Sequence, residues 1–346
     1  MVELIRCGTL MGVSMRNFIL ITGLSLAACG GGSMTTTGDD TTSPDAPGTT
    51  GETPAFTIKS SDIPLAPGAE FTKCFYFHTG NAAMAAINKW TSHMTAGSHH
   101  MILFLGTPTT QQPADGTTDE NCSIGVSSTG QVSATWTYAS AQPDTVQVLP
   151  TDDGAGKPLA QNIAPGTAGY LQMHYINTGD TTLTVHVEVS AYALPAGAAY
   201  TPTAAYNTYN QSISVGPGAT TVVATGTCPT PAGAKFWQMT THQHKQGTDA
   251  RVMDGSAMLV DTTDWEHPTA VRWDNPQFHS FGAGGLTWSC TYSNIGDNKN
   301  RTIKSGASAA TDEMCMANGY MFPATTSQFC VSFGPALSQC QCLGGT

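Results

Sequence analysis

Lysine–arginine clusters, long helical runs and CxxC pairs are all missing from this sequence, and each absence removes a class of protein. Charged residues are only 11% of 346 positions, with 13 Lys and Arg against 24 Asp and Glu. A formal net charge of −11 with no cationic cluster makes nucleic acid and acidic lipid poor electrostatic partners. With 37 Gly, 20 Pro and abundant Thr and Ser, few long helices can form, whereas many short strands and turns can. No CxxC pair exists among ten cysteines, which argues against a zinc ribbon. What is present is 40% apolar content over a length sufficient for two β-rich domains, each with its own core.

The N-terminus reads as a targeting segment. A short start around Met15-Arg16-Asn17 leads into the apolar stretch Phe18–Leu26. That stretch is shorter than the about 20 residues a membrane-spanning helix needs. It ends in Leu26-Ala27-Ala28-Cys29, which resembles a bacterial lipobox. The resemblance implies cleavage after residue 28, diacylation of Cys29 and a membrane-anchored lipoprotein at the outer membrane or periplasmic face. The alternative is an ordinary secretory leader cleaved nearby. Residues 29–54 hold almost no bulky apolar side chain and read as a flexible linker. Setting aside Cys7 and Cys29 leaves eight cysteines, which export directs towards disulfides. Their pairing cannot be read from spacing.

The folded part divides near the Pro195–Ala198 turn into residues 55–198 and 199–346. Alternating runs such as Glu70–His78, Gly169–Asn177 and Thr181–Leu194 predict strands, and Ala82–Trp90 predicts one short helix. Metal-ligand candidates sit at three strand ends. His242 and His244 are two apart, so on a strand they share a face. Same-face imidazoles can hold one transition metal between them. The adjacent pair His99-His100 can reach one metal only if the chain bends or bulges there. His174 shares a strand face with Gln172. Taken singly, each is equally a solvated histidine. His78, His93, His186, His267 and His279 read as turn, loop or surface residues.

Together the tracts SHHMILF, LQMHYIN, THQHK, LTWSCTYSN and TDEMC, in this order, resemble the copper type II, ascorbate-dependent monooxygenases. The family includes the peptidylglycine α-hydroxylating and dopamine β-monooxygenases. The resemblance covers roughly residues 56–333. It implies an all-β fold of two tandem antiparallel β-sandwich (jelly-roll-like) domains, each with one copper, facing each other across a solvent-filled cleft. His99, His100 and His174 would hold the electron-transfer copper, and His242, His244 and Met314 the dioxygen-activating copper. It also implies the disulfides Cys74–Cys122, Cys228–Cys330 and Cys290–Cys315, leaving Cys340 and Cys342 unassigned. Thioether and imidazole suit an ion cycling between Cu(I) and Cu(II).

The peptide-amidating branch grips a carboxylate with an Arg, an Asn and a Tyr. Here those positions are Thr240, Met316 and Asn318, so a peptide C-terminal glycine is not expected as substrate. Gln172, Thr240 and Asn318 are candidates for lining the cleft. The expected function is a monooxygenase hydroxylating a C–H bond of a small organic substrate with dioxygen, two coppers and ascorbate or another one-electron reductant. No obligate protein partner is evident. The competing readings are a non-catalytic exported copper-binding lipoprotein and a structural β-sandwich adhesin.

Overall fold

In a computed structural model, residues 52–120, 134–306 and 308–343 are described. The leader, Cys29, the start of the linker and Cys122 lie outside the described residues. Among the described residues the secondary structure is strand throughout except for one 3-10 turn at Leu337–Gln339, and no helix is long and apolar enough to cross a membrane.

Residues up to about 200 build two main sheets, with Ile63–Leu65 and Leu183–Val185 pairing in a separate two-stranded one. One orders Phe56–Lys59, Val187–Ala193, Ala85–Met94, Leu159–Ile163 and Thr201–Pro202, with Asp144–Val148 also pairing Ala85–Met94. The other orders Thr118–Asp119, Glu70–His78, Ala168–Ile176, Ser98–Leu105 and Thr135–Ser140. Alternation explains the layer between them. Val185, Val187, Val189 and Ala191 are fully buried against Ile87, Trp90, Leu103, Leu171 and Met173. At about 25 cal/mol per Å² of apolar area removed from water, that layer is the main stabilising term of this half.

The later half repeats the plan. Ala270–Arg272, Lys235–His242, Met316–Phe322, Ala204–Asn210, Gln328–Ser332 and Cys340–Leu343 form one sheet, and Val222–Cys228, Leu286–Tyr292, Gly247–Asp254 and Ala257–Thr262 the other. Trp288, Tyr292, Phe236, Met239 and Val252 fill the space between. Nearly all pairings are antiparallel; Ala204–Asn210 with Gln328–Ser332 is a parallel exception. A third cluster draws on both halves: Ile102, Phe104, Trp136 and Tyr170 from the first pack with Met314, Met316, Phe329 and Val331 from the second. The two inner sheets are therefore glued face to face by apolar side chains.

Two expectations are corrected here. Ala82–Trp90 is no helix: Ala85–Met94 is a central strand, paired with Val187–Ala193 on one side and with Asp144–Val148 and Leu159–Ile163 on the other. Alanine-rich local propensity yields to the burial of Ile87, Trp90 and Met94 in the sheet. The disulfide Cys228–Cys330 is absent. Cys228 bonds Cys340, and Cys330 bonds Cys342. The cause is the C-terminal strand Cys340–Leu343, which pairs beside Gln328–Ser332 and places Cys342 opposite Cys330. Cys290–Cys315 is bonded, and Cys74 is disulfide-bonded.

Candidate metal centres

The first histidine group is made by a bulge. Along the pairing of Ala168–Ile176 with Ser98–Leu105, His174 opposes His100 but Tyr175 opposes Ser98. His99 is the extra residue, so the alternation that would send His99 and His100 to opposite faces is broken. Their Nδ1 atoms lie 3.2 Å apart. One ring nitrogen from each of His99, His100 and His174 falls within 4.8 Å of the others. Nε2 of His174 is 2.7 Å from Oε1 of Glu70, leaving its buried Nδ1 without a partner. A neutral imidazole donating Nε2–H to a carboxylate carries its lone pair on Nδ1, the state a metal requires.

The second group leaves the end of strand Lys235–His242. His242 continues a pocket-facing row, and His244 lies in the following turn. The ring centroids of His242 and His244 are 5.3 Å apart. Nδ1–H of His244 donates to the Asp312 carbonyl at 2.9 Å, which leaves Nε2 as its free ligand atom. The Met314 segment is stitched to this turn by Glu313. Its carboxylate accepts the backbone N–H groups of His244 (2.9 Å) and Gln246 (2.8 Å). Tyr292 O–H donates to the Met314 carbonyl at 2.7 Å, and Cys315 is bonded to Cys290. Met314 is buried in the cluster shared by the two halves.

The two groups do not face each other across a wide solvent gap. The His100 and His242 rings stand 5.8 Å apart, centroid to centroid, and five imidazoles form one continuous patch. The expected solvent-filled cleft is thereby corrected: the shared apolar cluster closes the halves together. Solvent space persists as a cavity of about 430 Å³ beside the patch, lined by His100, Trp136, His242, Trp265, Asn318 and Tyr320 among others.

Burial holds these rings neutral. It lowers His242 to about 3 and His244 to about 4, with neighbouring histidines adding to the first shift and the Asp312 carbonyl opposing the second. His100 is pushed well below its usual value by burial and then by the surrounding imidazoles. His174 is lowered by burial against the opposing pull of Glu70. Unpartnered buried ring nitrogens on neutral imidazoles fit a soft or borderline transition metal. The linkage sign follows. Folded-state values lie below the unfolded value of about 6.5, so the unfolded chain binds protons first as pH falls. Stability contributed by these four rings is present above about pH 6.5 and is lost as pH falls towards their folded values. Thermal melts of metal-stripped protein should therefore show Tm falling from pH 7 to 5. His242→Gln should flatten that slope.

Thr240 and Asn318, the candidates for lining the cleft, are among the residues around the cavity. They are cross-strand neighbours, with Asn207 next in the same row. Thr240 Oγ1 donates to the Thr269 carbonyl at 2.9 Å, whereas both amide atoms of Asn318 are buried without a partner. Gln172 is buried on the His174 face but is not among the residues lining the cavity. His78, His93 and His279 are held by Asp115, Asp144 and Asp254. His186, expected at the surface, is partly buried against Asp62. His267, expected in a loop, is in one, but that loop reaches the first group, its ring 6.2 Å from that of His99. Glu70, Glu313, Trp265 and Glu266 were missed. The Asp264-x-Glu266-His267-Pro268 turn signature marks a loop, but no local signal says which surface that loop covers.

Residues 203–341 match the family described as copper type II ascorbate-dependent monooxygenase, C-terminal domain. The match includes His242, His244 and Met314. No curated protein matches the chain. Solved structures similar to it include broad bean stain virus (7% identity, 78% of this chain and 88% of that one, TM-score 0.29). Two structures of peptide: N-glycanase F also align. One has 11% identity, 76% and 95% coverage and a TM-score of 0.26. The other, from Flavobacterium meningosepticum, has 11% identity, 77% and 94% coverage and a TM-score of 0.28. Likeness at that level carries no argument.

Proposed function

We propose that this chain, whose residues 203–341 match the copper type II ascorbate-dependent monooxygenase C-terminal domain, is a monooxygenase that hydroxylates a C–H bond of a small, uncharged, partly aromatic molecule. The observation that carries the reading is the coincidence of the family's ligand-bearing segment with neutral, buried imidazoles at the wall of a cavity. The balance is R–H plus dioxygen, two electrons and two protons giving R–OH and water, the electrons coming from ascorbate or another one-electron donor. His242, His244 and Met314 would hold a copper that would supply dioxygen activation, and His99, His100 and His174 would hold one that would supply the second electron. The short His100–His242 separation favours transfer between the groups without crossing bulk water.

The remaining work falls to the cavity. Trp136 and Trp265 offer aromatic surface. Arg272 also lines the cavity, but its guanidinium is committed to Asp274 and to the Val148 carbonyl. Gln238 accepts from Gln147, and Tyr320 O–H donates to the Thr137 carbonyl. Asn318 is thus a polar amide left free to both donate and accept, with the neighbouring Thr241 hydroxyl also unpartnered. It suits an amide or hydroxyl group on the substrate. Its row lies two residues before His242 along the strand pairing, roughly 7 Å at strand rise. That spacing would hold a polar handle at Asn318 and a carbon a few bonds away beside His242.

The test is oxygen uptake by copper-loaded, ascorbate-reduced protein against a panel of neutral aromatic amides and alcohols and their carboxylate analogues. Uptake is expected with the neutral set. Asn318→Leu should raise KM by roughly 5- to 20-fold, about the value of one hydrogen bond to a buried group, with kcat nearly unchanged. Tight copper binding with no uptake for any compound would favour a non-catalytic copper-binding role. Three disulfides in the later half support an oxidising compartment, in keeping with export and lipidation at Cys29. Mass spectrometry of the mature N-terminus tests that part.

A further inference from the structure

The outer nitrogens of two histidines in the first group meet carboxylates that come from opposite halves of the chain. Glu70, on the strand beside His174, lies 2.7 Å from its Nε2. Nε2 of His99 lies 3.3 Å from Oε1 of Glu266, a close contact short of a formed hydrogen bond, and is buried with no hydrogen-bond partner. Glu266 belongs to the second half, in the loop 263–269 between strands Ala257–Thr262 and Ala270–Arg272.

That loop is built to stay where it is. Asp264 Oδ1 accepts the backbone N–H groups of Glu266 at 2.9 Å and His267 at 3.1 Å. Thr240, two residues before His242, donates its hydroxyl to Thr269 O. Trp265 stacks on His99, ring centroids 5.0 Å apart and planes 23° apart. A tryptophan face and a carboxylate from one half therefore lie against a metal-ligand candidate of the other.

An imidazole that gives Nδ1 to a metal keeps its proton on Nε2, and that proton needs an acceptor. The Nδ1 atoms of His99 and His100 already approach each other, and Nδ1 of His174 is unpartnered. We propose that Glu266 is a positioning residue for the first metal group: it accepts Nε2–H of His99, fixes the ring with Nδ1 towards the ion, and makes that nitrogen a stronger donor. Glu70 does the same for His174 from within the half. The first group is then complete only when loop 263–269 of the other half is docked on it. The proposal rests on the reading above that these histidines hold copper.

The experiment uses the full chain with Glu266→Gln, Glu70→Gln and wild type, each in a His244→Ala background that disables the second group. Cu(II) affinity is read by chelator competition, and the Cu(II) hyperfine coupling by electron paramagnetic resonance. Loss of an outer carboxylate partner of a metal-bound histidine typically costs 10- to 100-fold in affinity. Both Gln variants should weaken Cu(II) by about that factor and change the hyperfine coupling. The Glu266 side chain is about half exposed and Gln keeps its size, so the melting temperature should be unchanged. Wild-type affinity and spectrum in Glu266→Gln, with Glu70→Gln weakened, would overturn the proposal and leave the loop a cover only. Failure of the His244→Ala parent to bind Cu(II) would instead remove the copper reading beneath it, and the proposal with it.

Discussion

His242→Ala is expected to lower substrate-dependent oxygen uptake by more than about 100-fold, beyond the 10- to 100-fold typical of losing an outer-sphere partner. The ring is buried and holds its lone pair at every ordinary pH. It stands between His100 and His244, with Trp136 edge-on at 5.5 Å. Alanine removes a proposed metal ligand and opens space at the cavity wall. The fold should survive, since the strand keeps its backbone pairing with Met316–Phe322. Oxygen-electrode rates and circular dichroism on the same preparation separate the two effects. Retention of more than a tenth of the wild-type rate in a folded variant would contradict the assignment.

Glu313→Ala should produce the largest loss of stability from a single side chain at this site. The carboxylate is fully buried and caps the N–H groups of His244 and Gln246. Each buried donor left without an acceptor costs about 1–3 kcal/mol. The expected fall in Tm is roughly 5–15 °C. Because the same bonds tie the His-x-His turn to the Met314 segment, copper affinity at the second group should fall with it. Burial raises Glu313 to about 8, against the downward pull of its backbone donors. The folded value exceeds the unfolded one of about 4.3, so the folded state binds the proton more tightly. Stability should therefore decline as pH rises from 6.5 to 8.5 in metal-free wild type, by at most about 1.4 kcal/mol per pH unit. Below pH 6.5 the four histidines act in the opposite direction and outnumber it. Glu313→Gln should abolish the decline above neutrality, which differential scanning calorimetry across that range measures.

Much of this was legible from residue order. Alternating runs announced the strands, and the His-His pair demanded a bend or bulge, which is present as a bulge at His99. Local patterns failed where distant partners decide. Ala85–Met94 is a strand because three neighbours pair with it. The Cys228 pairing moved because a short C-terminal strand, hard to distinguish from a Gly-rich tail, docks beside Gln328–Ser332. Glu266 and Trp265 sit in a loop without periodicity, so their opposition to His99 exists only in three dimensions.

The apolar cluster drawn from both halves has a practical corollary for anyone dissecting the gene. Cutting near residue 200 would lay bare Phe104, Trp136 and Tyr170 on one fragment and Met316, Phe329 and Val331 on the other. Each piece would carry a sticky face, one with six of the ten histidines and the other with four. Swapping one half for a homologue's would succeed only where these side chains travel together, so the two halves are constrained to diverge as a matched pair.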